Sequence, residues 1–132
     1  MEKPILLHKI RLPLFKSSLW VIISKSIAES IDHVEDITSL KISEEDTKCW
    51  LSAYSYAGIL DDDSKKFMLF LKYNASPGEI AHEVKHIINI IFSWNEYKLS
   101  LTNDEMECRY LEDIVDKVYY SIKKYKKINK LK

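Results

Sequence analysis

His82, Glu83 and His86 fall in the run Ile80-Ala81-His82-Glu83-Val84-Lys85-His86, the stretch of this chain with the plainest chemistry. On an α-helix, residues four apart lie one above the other, so the two imidazoles can reach a common point. A tetrahedral Zn²⁺ takes ligand nitrogens about 2 Å away, and an i, i+4 histidine pair supplies two of them without backbone strain. Glu83 lies too far round the helix to be an easy third ligand, but it is placed to hold a water beside the metal. A carboxylate base next to a water whose pKa a metal has lowered is a hydrolytic nucleophile. The H-E-x-x-H spacing therefore predicts a Zn²⁺ cofactor on His82 and His86, with Glu83 as the catalytic base. Lys85, inside the motif, projects about 200° from Glu83 and is expected to point to solvent.

Zinc in a hydrolase needs a third protein ligand. An extended metzincin motif would require Gly at position 89 and His at 92, where the chain has Asn89 and Phe92. His8 and His33 lie far upstream and read as structural or exposed. The acidic segment Asn103-Asp104-Glu105-Met106-Glu107-Cys108 remains. The apolar stripe that follows it turns Glu107 and Asp104 further inward than Glu105, while a metal at the margin of a core needs a ligand at that margin. Spacing leaves Glu105 and Glu107 both open. A deformylase-like alternative takes Cys49 of Cys-Trp-Leu-Ser with the two histidines, but the Gly-rich surroundings it needs are missing. Cys108 reads as a buried small residue.

The elements that must hold these residues follow from periodicity. Residues 5–15 and 19–24 are rich in Ile, Leu and Val and read as strands around a Lys16-Ser17-Ser18 turn. Residues 26–34 place Ile27, Ile31 and Val34 on one helical face, and 36–46 read as irregular. Residues 50–59 alternate as a half-buried strand, and 67–73 (FMLFLKY) form its antiparallel partner across a turn at 61–64. Ser76-Pro77-Gly78-Glu79 is a helix start with a capping box, and Ile80, Val84, Ile87, Ile88 and Ile91 carry that helix to about Ser93. Thr102 to Glu105 repeats the box pattern before a second helix striped by Leu111, Ile114, Val115, Val118 and Ile122. Strands first and two long helices last make an α+β domain with a mostly antiparallel sheet.

Composition narrows the function classes. A chain of 132 residues with 46% apolar content suits one core and argues against disorder. The expected division is a folded domain over 1–122 and a Lys-rich tail over 123–132. Its formal charge of +0 argues against a general nucleic-acid binder, leaving the lysine tail as the one route to such a partner. The longest apolar runs are too short to span a bilayer, and the first residues lack a signal-peptide pattern. Two cysteines make no disulfide framework, so a reducing, cytoplasmic home is expected.

The HEVKH helix followed by Asn103-Asp104-Glu105 and a second helix resembles the gluzincin branch of the zincin metallopeptidases. It is similar in particular to small HExxH proteins of bacteriophages and their bacterial hosts. The resemblance covers roughly residues 50 to 118. It implies a zincin-like fold, Glu105 as third metal ligand with a small residue (Cys108) three positions on, and a protein or peptide substrate. It also implies that residues 66–73, as a strand above the metal helix, pair with an extended substrate. Tyr54, Tyr56 and Tyr110 are candidate donors to the oxyanion. The competing expectation is a zinc-stabilised, catalytically inactive protein that binds a protein or nucleic acid; a third is a metal-free interaction domain.

Overall fold

The computed structural model describes residues 4–12, 15, 17–38, 40–42, 52–59, 63–96 and 104–132. The elements are β1 (Ile5–Leu12), β2 (Ser17–Ser24), α1 (Ile27–Thr38), β3 (Ala53–Ile59), β4 (Lys65–Lys72), α2 (Pro77–Trp94) and α3 (Glu105–Ile128). The four strands form one mixed sheet in the order β1-β2-β4-β3. β1 and β2 are antiparallel, as are β3 and β4, while β2 and β4 run parallel. A parallel pair cannot close through a hairpin, so the chain crosses over through α1 between β2 and the β3–β4 pair.

Strand alternation assigns each face of the sheet its helices. Leu19, Val21 and Ile23 of β2 and Phe67, Leu69 and Leu71 of β4 pack with Ile80, Val84, Ile87, Ile88 and Ile91 of α2 and Ile114, Val118 and Tyr125 of α3. Trp20, Ile22, Met68 and Phe70 face the other way, against Ile27, Ile31 and Val34 of α1. Phe67 to Leu71 are all fully buried, because β4 is covered on both faces and paired along both edges. Burying about five such side chains at ~1.5–3 kcal/mol each makes β4 the energetic spine of the domain.

Several element boundaries differ from the sequence expectations. α1 continues to Thr38, into the segment expected to be irregular. Its end is closed by the Thr38 hydroxyl donating to Val34 O (2.6 Å) and by Ile42 N donating to Glu35 Oε2 (2.9 Å). Among the described residues β1 spans Ile5–Leu12, and residues 13 and 14 of the expected strand lie outside them. The expected capping box at Thr102 does not set the start of α3: the cap is Asp104, which places Glu105 at the first helical position. Thr102 itself, with Cys49 and the start of the 50–59 strand, lies outside the described residues. α3 runs on to Ile128, and Tyr125, within the Lys-rich segment, is fully buried with its hydroxyl donating to Pro4 O at 3.3 Å. No helix among the described residues is long and apolar enough to cross a membrane.

Candidate metal centre

The helix that carries the motif is well started. Ser76 accepts a hydrogen bond from Glu79 N (3.1 Å), and Glu79 Oε1 accepts one from Ser76 N (2.9 Å), with Pro77 opening the helix. These bonds from Ser76 hold the Glu79 carboxyl below its usual range. The apolar face of α2 docks on the sheet, so its rotation is fixed, and the rest of the motif falls on predictable sides.

His82 and His86 are exposed and converge. Their Nε2 atoms stand 3.1 Å apart, with ring centroids at 4.6 Å. Two nitrogens bound tetrahedrally at about 2 Å from one zinc ion would be separated by about 3.3 Å, so the pair has the spacing a single ion needs. Glu83 Oε2 lies 3.9 Å from His82 Nε2. Among the described residues these three make the one grouping able to hold a metal, with ligand atoms within 4.8 Å of one another.

Glu83 is turned toward β3, where the Ser55 hydroxyl donates to its Oε1 at 3.3 Å. This contact has a clear local origin. Ala53, Ser55 and Ala57 pair with Leu71, Leu69 and Phe67, and so share the α2 side of the sheet. Small side chains there let the helix approach the strand. Ser55 was not among the expected site residues; its signal was the small-residue alternation A-x-S-x-A along the strand.

The same pleat sends Tyr54 and Tyr56 to the α1 side, where they pack against the Trp20 and Phe70 cluster. The Tyr56 hydroxyl reaches Lys41 O at 3.4 Å. Burial first, then Tyr56 and Glu83, pushes the Tyr54 hydroxyl above its ordinary value. Tyr110 is buried between Phe15 and Phe92. The strand expected to pair with a substrate, 66–73, is β4, whose two edges are taken by β2 and β3. A continuous apolar run such as FMLFL marks an interior strand, and the edge beside α2 belongs to β3 instead.

Lys85 does not simply face solvent. It forms an ion pair with Glu107 of α3, whose side chain is only 15% exposed. Glu107 and Tyr110, which meets Phe92 edge-on at 5.5 Å, are therefore the α3 residues turned toward α2. Cys108, expected to be buried, is an exposed free thiol. Glu105 is not brought into the histidine grouping; its side chain is 74% exposed and pairs with Arg109 at 3.0 Å on its own helix. His33 is exposed on α1, across the sheet from the motif. His8 on β1 is a structural residue of the α3 interface, with Nδ1 2.6 Å from Ser121 Oγ. That hydroxyl donates to Lys117 O (2.9 Å), so His8 Nδ1–H is the donor between them.

No family model, curated protein or solved structure matches this chain. The candidate centre therefore rests on its own geometry.

Proposed function

We propose that this chain is a zinc-dependent metallohydrolase that acts on a protein or peptide. The observation that carries the reading is the 3.1 Å approach of the His82 and His86 Nε2 atoms, with the Glu83 carboxylate beside them and buttressed by Ser55. His82 and His86 would hold the metal. The third position would go to Glu105 on the sequence reading. Glu105 pairs with Arg109, however, and lies about 200° round α3 from Glu107, which meets α2, so the start of α3 would have to turn before it could join the histidines. When bound, Zn²⁺ supplies Lewis acidity, activating a water and polarising the scissile carbonyl. Glu83 takes the proton from the attacking water and passes it to the leaving amine nitrogen. Ser55 donates to one carboxylate oxygen and so leaves the other turned to the proton. Among the described residues β3 is hydrogen-bonded along one edge only, and the other edge can add an extended peptide as a further strand.

A second reading has its own support. Glu83 lies within the same grouping as the two histidines and could itself bind the metal, which would leave no base and make the centre purely stabilising. One set of variants separates the two. Under the proposed reading, Glu83→Gln retains about one zinc per chain and lowers peptide hydrolysis by about 10²-fold or more. Ser55→Ala lowers the rate by less and also keeps the metal. His82→Ala and His86→Ala each lose the metal. Zinc lost from Glu83→Gln as fully as from the histidine variants would make Glu83 a ligand and end the hydrolase reading.

A further inference from the structure

The basic end of α3 is a second surface with chemistry of its own. Tyr120, Lys123, Lys124, Lys127 and Ile128 line one groove. The Tyr120 ring is 62% exposed, and the His8 ring lies 6.5 Å from it. None of the three lysines is ion-paired among the described residues. The helix dipole favours cations near a C-terminus, which accounts for lysines there in general. It does not account for an aromatic face left open among them.

We propose that this groove binds single-stranded nucleic acid, with phosphates on Lys123, Lys124 and Lys127 and a base stacked on Tyr120. Tyr120 precedes these lysines by three, four and seven residues, so all four share one face of the helix. Lysines suit sequence-independent phosphate contact, and any base offers a π-face to a tyrosine. A duplex keeps its bases stacked inside and cannot use the ring. An anionic membrane is disfavoured for a different reason. The apolar side of α3 (Tyr110, Ile114, Val118, Ile122 and Tyr125) is already buried in the core, leaving Tyr119, Tyr120 and Ile128 beside the lysines, too narrow an apolar face to insert. Asp116 stands one turn before Tyr120 and limits the groove at that end, while Asp113 is held by Lys117 at 2.9 Å. The groove's field is felt by its neighbour: after burial, Lys124 and Lys117 keep the His8 imidazole below its ordinary value.

The groove starts about 20 Å along α3 from Glu107, which meets the metal helix, so it is a separate surface from the candidate metal centre. The experiment is fluorescence anisotropy of labelled oligo(dT) and oligo(U) with the full chain. The expected log–log salt slope is about −2, or roughly a 20-fold loss between about 50 and 200 mM salt, for three phosphates neutralised. Lys124→Gln with Lys127→Gln should bring the slope to about −0.7. Tyr120→Ala should weaken binding about tenfold, while Tyr120→Phe retains it. His82→Ala should bind as wild type does, which separates this surface from the hydrolase reading. Equal affinity for duplex, or an unchanged affinity in Tyr120→Ala, would overturn the proposal, as would preferential binding to phosphatidylserine vesicles or an acidic peptide.

Discussion

Replacing Lys85 by Met should destabilise the fold more than replacing its partner Glu107 by Gln. The asymmetry follows from burial: Glu107 is 15% exposed and Lys85 48% exposed. Lys85→Met keeps the aliphatic stem but strands a mostly buried carboxylate. An unmatched buried charge of this kind costs about 1.5–3 kcal/mol, and the solvent reaching the lysine moves the expected value down to about 1–2 kcal/mol. Glu107→Gln leaves an ammonium that can turn to water, so its cost should stay below about 1 kcal/mol. The double variant should cost less than Lys85→Met alone, because it removes the stranded charge along with its partner. Urea unfolding of the four proteins measures this as shifts in midpoint at constant slope. Purely additive effects, or a larger cost for Glu107→Gln, would refute the assignment of this pair as the clasp between α2 and α3.

Three further outcomes follow. Glu105→Ala should weaken zinc binding by orders of magnitude and Glu107→Ala far less, as read by competition with a chromophoric chelator; the reverse order would transfer the third position to Glu107. Ser76→Ala should cost about 1 kcal/mol by removing the cap of α2, and a cost near zero in chemical denaturation would mean that the box seen at 3.1 and 2.9 Å does not persist in solution. His8 resists protonation in the fold, so the stability it contributes is complete above its unfolded value of about 6.5 and is lost as pH falls from there through the lower folded value. The melting temperature of wild type should therefore fall more steeply from pH 8 to pH 5 than that of His8→Asn, and parallel curves would contradict the burial argument.

The legible parts of this chain were those written locally. α2 could be read because its cap, proline and apolar period all lie within one stretch, and the two histidines inherit their geometry from it. The order of strands could not, because the parallel pairing of β2 with β4 joins segments far apart in the chain. The interior place of β4 was readable in FMLFL, whose lack of alternation means burial on both faces. The phase of α3 was harder. Its buried face includes Tyr110, Ser121 and Tyr125, which a purely aliphatic stripe leaves out, while Leu111 and Val115 are only half-buried. That shift exposes Cys108 and turns Glu107 toward α2. Ser55 was marked only as the middle of the small-residue alternation A-x-S-x-A, and its part beside Glu83 became visible only when strand and helix met.

The charges of α3 are largely sorted by position: Glu105, Glu107, Glu112, Asp113 and Asp116 lie in its first half against a single Arg109, and Lys117, Lys123, Lys124, Lys126 and Lys127 lie in its second. The centres of the two groups are about 20 Å apart along the axis. Within a chain of zero formal charge, α3 is thus itself charge-separated, even with Glu105, Glu107 and Asp113 paired to Arg109, Lys85 and Lys117. Near neutral pH no net repulsion keeps copies apart, and opposite ends attract, so head-to-tail self-association should be strongest in dilute buffer. Added salt should dissolve such assemblies rather than promote them, because it screens an attraction between poles.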